Sequence, residues 1–417
     1  MSFKLFCLWA FVLIGRPQDL FIILQPLRPA LALTAIVPSL AFLNTHGSGL
    51  SNLFKMYGVK RYLLFYFVMI LGIPFAYHRK VAFDFIFLTY LINILFFLVF
   101  LLEVNSIKRL KTVFFIICLS AFLYSFFGLA KGSFSQGRFF IYGAMFDPND
   151  IAYVLLSLLP LCIFFIVHNE GLFKKVLAIA TIGASIVLIL LTGSRAGVIG
   201  LITLFLLILF TKLERIRWFY KIALLIALFT LYLLNEDKIN IERYMTLTEM
   251  GSDYNVSEET GRVQIWKRAY QLISENPLTG IGANCFPMAL GYLRQELFLT
   301  PRWQASHNSY IQIITETGLI GFIIFLSLII ASLKSFFRAK NLKITTKEGA
   351  ELKTIGGLLY LGFIVHLITA FFLSQGYSIF FTLFFALSAT LKRIVDASLL
   401  ENKTQVSARN EIAIYKG

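Results

Sequence analysis

Long apolar runs separated by short polar connectors dominate the chain from end to end. A helix that crosses a bilayer needs about 20 mainly apolar residues. Runs of this kind fall at 3–15, 29–44, 60–77, 83–102, 110–130, 151–168, 174–192, 195–212, 216–234, 309–334, 354–374 and 376–392. The pattern predicts an all-α polytopic membrane protein of about 12 transmembrane helices. Each run is apolar all round, so helical periodicity does not say which face packs inward. Residues 235–308 break the rhythm as one long connector with helical texture, where Thr260–Ser274 reads as an amphipathic helix closed by Asn276-Pro277. The chain then divides into nine helices over 1–234, a large helical loop over 235–308, three helices over 309–393 and a loosely ordered polar tail over 394–417.

Basic residues orient these helices. With the N-terminus on the cytoplasmic side, the inner connectors and the tail receive 24 of the 38 Lys and Arg, the bias that sets topology. Half of the remainder lies in the 235–308 loop, and long loops translocate largely regardless of charge. Both termini are therefore expected inside and that loop outside. A chain 58% hydrophobic and 14% charged is not a soluble globular domain, which runs nearer half apolar and a quarter charged. A net charge of +16 would suggest nucleic acid in a soluble protein, but here orientation accounts for it and no nucleic-acid partner is expected. Cys7, Cys118 and Cys162 fall in apolar runs and Cys285 stands alone outside, so no disulfide framework is implied. The apolar start has no small-x-small site and is interrupted by Arg16-Pro17, so no cleavable signal peptide is expected.

Ionisable groups at the outer membrane edge are costly to place and are the candidates for chemistry. Thr192-Gly193-Ser194-Arg195-Ala196-Gly197 is a tight outer turn with no acid beside it. Ser194 can cap the following helix, whose first amides and dipole favour an anion, and Arg195 adds a fork suited to phosphate. The structural alternative is an arginine reaching to the interface. His307, in Ser306-His307-Asn308-Ser309-Tyr310, sits at the start of the tenth run, where the positive end of a helix dipole disfavours protonation. A neutral imidazole is what a general base requires; the alternative is a structural capping histidine. Glu316 lies about two and a half turns further on and reads as a buried orienting partner. In the long loop, Glu259-Thr260-Gly261-Arg262 leads into Trp266, with Arg262 the better phosphate candidate and Lys267 and Arg268 read as solvated. Gly280-Ile281-Gly282 could let backbone approach a phosphate, a weak signal alone. Arg138 is a further phosphate candidate, and Asp147 or Asn149 is expected to cap the sixth span. Asp19, in the first outer turn, is a conceivable base but reads more readily as a turn residue.

Nothing has metal-ligand spacing: His46 and His168 fall inside, His78 lies in a separate outer turn, and His366 is mid-membrane. No P-loop or Asp-x-Asp pair is present, so neither metal nor cofactor is expected. Arginines, one histidine and few opposing carboxylates at an outer edge suit an anionic lipid headgroup. A pyrophosphate-linked glycan fits, because arginines stabilise charge growing on the leaving group while the histidine takes a proton from an attacking sugar hydroxyl.

The segments Thr192–Gly197, Gly261-Arg262…Trp266, Gly280-Ile281-Gly282 and His307-Asn308-Ser309-Tyr310…Glu316-Thr317-Gly318-Leu319-Ile320-Gly321 together resemble the O-antigen ligase and Wzy O-antigen polymerase superfamily. The resemblance runs from about 138 to 330, with Phe146-Asp147-Pro148-Asn149 also similar. It implies a GT-C-like glycosyltransferase of the bacterial inner membrane. Such an enzyme moves a glycan from undecaprenyl pyrophosphate to an acceptor on the periplasmic face, with inversion and without a metal. It also implies that Arg195 and Arg262 bind the pyrophosphate, with Arg138 a further contact, and that His307 is the catalytic histidine. Ser194, Asn308, Glu316 and Asp19 are candidate supporting residues on the reading of the residues themselves, and the N-terminal third that holds Asp19 matches no family motif. Acceptors open to it are lipid A-core, for a ligase, or a second lipid-linked repeat, for a polymerase of O antigen or exopolysaccharide. A protein-glycosylating relative would carry further C-terminal sequence. From another class, a transporter of lipid-linked sugars would place charges through the bundle midplane and show pseudo-repeats between its halves; neither pattern is visible.

Overall fold

A computed structural model of the chain describes residues 2–45, 47–135, 137–141, 147–211, 218, 244, 258–343 and 346–416, the side chains of 47–50 and 403–416 excepted. Its main helices are α1 (Ser2–Gly15), α2 (Pro29–Leu43), α3 (Val59–Leu71), α4 (Arg79–Glu103), α5 (Ile107–Lys131), α6 (Pro148–Val167) and α7 (Leu172–Leu191). They continue as α8 (Arg195–Phe210), α9 (Arg262–Glu275), α10 (Phe286–Glu296), α11 (Ser309–Lys340), α12 (Lys347–Ala370) and α13 (Ile379–Lys416). A small antiparallel hairpin, β1 (Ser133–Ser135) and β2 (Arg138–Phe140), follows α5. Helices α4, α5, α6, α7, α11 and α12 are long and apolar enough to cross a membrane, and α1, α2 and α8 are shorter apolar helices. The chain is thus a multi-pass, all-helical membrane protein.

Two expectations differ from the observed elements for local reasons. The run at 60–77 stops as a helix at Leu71, because Pro74 has no N–H to donate and Ile73–Phe75 tightens into a 3-10 turn. The tail read as loosely ordered continues α13 to Lys416; it is rich in good helix formers and meets neither Pro nor Gly before Gly417. The expected span at 216–234 lies outside the described residues.

Burial says what the all-round apolar pattern could not. Helix α6 is buried on every side from Ile151 to Cys162, which makes it central. Helices α5, α7, α8 and α12 pack around it. Tyr153 Oη shares a hydrogen bond of 2.9 Å with Ser378 Oγ, and Ser157 Oγ one of 2.9 Å with His366 Nδ1. The His366 ring sits 4.4 Å from that of Phe381 and 5.0 Å from that of Phe384, so this imidazole is a packed core contact. One end of the bundle collects ion pairs: Lys111 with Glu170 and Glu351, Lys174 with Glu170, and Arg338 and Lys392 with Asp396. Helix α11 runs from that end to the other, where the candidate residues lie.

Near its start, α11 breaks. Gly318 has φ 65° and ψ −173°, a conformation open essentially to glycine alone. The peptide groups the break frees are taken by the segment before α10. Leu319 N–H donates to Pro277 O at 2.8 Å, Ile281 N–H to Thr315 O at 2.9 Å and Gly282 N–H to Glu316 O at 3.0 Å. Gly280, at φ 69°, lies so close that a Cβ there would meet the Glu316 and Gly318 backbone, and one on Gly318 would meet the Leu278 carbonyl. The two glycine-bearing motifs are therefore the two halves of one backbone lock. That corrects the reading of Gly280 and Gly282 as room for a phosphate, because the space at Gly280 is filled by α11 and that at Gly282 by Ala76.

Gly318→Ala is expected to lower stability by about 1–3 kcal/mol from backbone strain alone, seen as a fall in the thermal midpoint in detergent. Gly183→Ala on α7, where a Cβ would meet nothing within 4 Å, is expected to leave the midpoint in place.

Candidate active site

His307 lies one residue before the N-cap of α11. Asn308 provides the cap, its Oδ1 accepting from Tyr310 N–H at 2.9 Å and Ile311 N–H at 3.0 Å. His307 itself takes a left-handed φ of 50°, unusual for a side chain with Cβ. Its N–H donates to Ser374 Oγ at 2.7 Å, and Ser306 Oγ shares a bond of 2.9 Å with the same hydroxyl. Ser374 belongs to the 371–378 connector between α12 and α13. The same connector is tied to α11 by Gln375 N–H to Ser309 Oγ, 3.0 Å, and by Gly376 N–H to Gln312 Oε1, 3.1 Å.

Helix α9 brings Arg262 to this turn. Arg262 is its first residue, and one turn later Trp266 Nε1 donates to Ser306 O at 2.9 Å while its ring stands edge-on to Phe371. The start of α9 is held by two buried arginines. Arg268 pairs with the Glu259 carboxylate and donates to Glu259 O, and Arg294 Nη1 reaches the same carbonyl at 3.4 Å. Arg268, read from the sequence as solvated, is thus buried: it faces the packed side of the amphipathic helix with Ile265, Ala269 and Leu272. Burial lowers the pKa of both guanidinium groups from the ordinary value. Lys267 is exposed.

A second cluster forms where α6 and α8 begin. Asp147 caps α6, its Oδ1 accepting from Asn149 N–H at 2.9 Å and from Asn149 Nδ2 at 3.0 Å. Asn149 Oδ1 in turn accepts from Arg138 Nη2 at 3.2 Å and from Ser194 Oγ at 2.9 Å. Arg138 Nε donates to Thr192 O at 3.2 Å. Ser194 caps α8 by accepting from Gly197 N–H at 3.1 Å, and half-buried Arg195 is the first residue of that helix.

Electrostatics connects the clusters. The pKa of His307 is lowered from 6.5 to about 4, by burial first and by the Arg262 charge second, with Asp147 pulling the other way. The charges of Arg262 and Asp147 therefore both reach the imidazole, and burial is the chief cause of its neutrality. The structure brings His307, Arg262 and Asp147 together, and through Asn149 it joins Asp147 to Arg138 and Ser194. Glu316 is buried below the turn. Its Oε2 accepts from Asn284 N–H at 2.7 Å and its Oε1 from Phe286 N–H at 3.0 Å, at the start of α10. Asp19 is held by Arg16 at 2.6 Å and belongs to a different group of side chains. Sequence reasoning missed Ser374, Gln375 and Asp150. The available signal was the polar interruption Ser374-Gln375-Gly376 between two apolar runs, on the same side of the membrane as His307.

The chain is a polytopic membrane protein with a neutral imidazole, a guanidinium beside it and further arginines capped into neighbouring helix starts. Residues 180–326 match the family model described as O-antigen ligase. The match spans Arg195, Arg262, His307, Glu316 and the backbone lock. Among curated proteins no match is found.

Glu316→Ala removes the acceptor of two amides at the start of α10. It is expected to cost about 1–3 kcal/mol for each buried group left unmatched, read as a lower thermal midpoint, with Glu316→Gln recovering part of the loss.

Proposed function

We propose that the protein is a GT-C-like, metal-independent, inverting glycosyltransferase. It takes its glycan from undecaprenyl pyrophosphate and passes it to an acceptor hydroxyl on the periplasmic face of the bacterial inner membrane. The observation that carries this reading is the half-buried, neutral His307 beside Arg262, inside the segment that matches the O-antigen ligases. The positive-inside bias supports a periplasmic site, with both termini cytoplasmic and the ion-paired basic end of the bundle inside.

His307 accepts the proton of the acceptor hydroxyl as that oxygen bonds to the donor sugar's anomeric carbon. The carbon's bond to the pyrophosphate breaks, and the electron pair leaves on the pyrophosphate oxygen. Arg262, Arg195 and Arg138 stabilise the charge that grows there. Ser194 and Asn308 fix the helix starts from which these groups act, and Glu316 holds the backbone lock beneath them. Asp19 is not assigned a part in the proton transfer, because Arg16 already engages it. The acceptor in the leading reading is lipid A-core.

Reconstituted protein is given undecaprenyl-pyrophosphate-linked repeat units with and without lipid A-core. A single shifted product that needs lipid A-core identifies a ligase, and a ladder from donor alone identifies a polymerase. His307→Ala is expected to lower kcat by about 10²–10⁴-fold, and Arg195→Ala or Arg262→Ala by about 10²-fold or more. Transfer by His307→Ala at the wild-type rate would overturn the base assignment, and a lack of transfer in every arm would favour a transporter.

The pH profile follows from the lowered pKa. A base whose pKa is about 4 stays neutral through pH 5–8, so kcat/KM is expected to fall only as the pH drops through about 4. Arg262→Gln removes the second cause of the shift and is expected to move that acid limb upward. The limb should stay below 6.5, because burial, the larger cause, remains.

A further inference from the structure

Beside the His307 turn lies a polar group that this reading has not used. Gln375, next to Ser374, donates from Nε2 to Asp150 Oδ1 at 2.9 Å. The Arg16 charge acts on Asp150, and Arg16 is itself paired with Asp19 at 2.6 Å. Gln18, on the same short turn, has its Oε1 buried with no hydrogen-bond partner among the described residues. Arg16, Gln18, Asp19, Asp150 and Gln375 are each half-buried, neither sealed in the core nor fully in solvent. Three segments remote in sequence thus converge on one polar patch, at a membrane-edge depth where polar side chains are costly and usually functional.

The chemistry of the patch separates it from the arginine cluster. It holds two carboxylates against one arginine, so its field repels a pyrophosphate. What it offers is carboxylate and amide oxygens for hydroxyl donors, and an amide N–H₂ and a guanidinium for hydroxyl acceptors, a set that suits the hydroxyls of an uncharged sugar ring. A first-turn acid alone would be explained by the α6 dipole. Here, however, Asp147 already caps that helix, and the Asp150 carboxylate meets Gln375 from another connector. Gln375 follows Ser374, whose hydroxyl holds the His307 amide, so a sugar on this patch would have its ring next to the imidazole.

We infer that Asp150 and Gln375, with the Arg16–Asp19 turn, form the subsite that holds a sugar of the acceptor by its hydroxyl groups and presents one of them to His307. The inference rests on the transferase reading above. The subsite and the base divide the work: His307 takes the proton, and the patch decides which hydroxyl reaches it.

Two binding titrations on the full chain in nanodiscs test this. Undecaprenyl pyrophosphate alone probes the arginine cluster. Two water-soluble glycans, core oligosaccharide and delipidated repeat unit, probe the sugar patch by saturation-transfer NMR. Wild type is expected to bind at least one of the glycans. Asp150→Asn keeps the shape and a bond to Gln375 while removing the charge; it is expected to weaken that glycan about tenfold and to leave undecaprenyl pyrophosphate affinity unchanged. Gln375→Ala is expected to do the same and serves if the first variant does not accumulate. Arg262→Ala is expected to show the mirror result. The subsite is overturned if neither glycan binds wild type, if Asp150→Asn and Gln375→Ala leave glycan affinity unchanged, or if they weaken the lipid pyrophosphate instead. If Arg262→Ala leaves undecaprenyl pyrophosphate binding intact and His307→Ala transfers normally, the transferase reading fails, whatever the glycan titration gives.

Discussion

Backbone peptide groups that leave a helix at membrane depth must find partners within the protein, and the site is built around one place where they do. The break at Gly318 releases Thr315 O, Glu316 O and Leu319 N–H, and the 277–282 segment answers all three. That exchange fixes the loop before α10 to the start of α11. It sets Glu316 against the first amides of α10 and so joins the packed core of α9 and α10 to the transmembrane bundle. Trp266 then carries Arg262 to the His307 turn. Arg262 and His307 are neighbours because a glycine lets a helix come apart at a point where another strand of backbone can replace the lost bonds.

The turn above the break follows the same logic with side chains. His307 is held in a left-handed conformation by its own amide, through Ser374, while Asn308 satisfies the α11 start. The backbone is fixed through its N–H, so none of these bonds uses the ring nitrogens. Arg138, Asn149 and Ser194 are linked in the same way, one amide oxygen serving two donors. Position is thus set by short bonds between connectors, and the transmembrane helices supply the frame on which the connectors are mounted.

Much of this was legible in the chain and some was not. Apolar runs gave the bundle because lipid demands length and composition, which a sequence carries openly. The amphipathic pattern gave α9, and the cap residue Ser194 announced the start of α8. The backbone lock was hidden, since glycines near an arginine look alike whether they admit a phosphate or another strand of backbone. Arg268 was misread because a charged residue on a helix is usually solvated, and only the placement of Glu259 and Arg294 makes a buried guanidinium tolerable. Asp150, Ser374 and Gln375 were passed over because their meaning lies in contacts across more than 60 residues of chain, which local pattern does not encode. The end of α3 was hidden for a related reason: Pro74 stops the helix early, although hydropathy alone runs on past it.

The low basicity of His307 bears on how the proposed reaction would be ordered. In the resting site the imidazole is desolvated and faces the Arg262 charge, so it is neutral but a weak base. An arriving pyrophosphate is drawn to the same guanidinium, and its negative charge offsets the field that depresses the imidazole. Opposite charge nearby favours the protonated form, so donor binding strengthens the base. The acceptor hydroxyl, carrying no charge, has no such effect. Electrostatics alone would therefore make His307 competent chiefly when the leaving group is already in place, and proton removal would be tied to the presence of the sugar that is to be transferred.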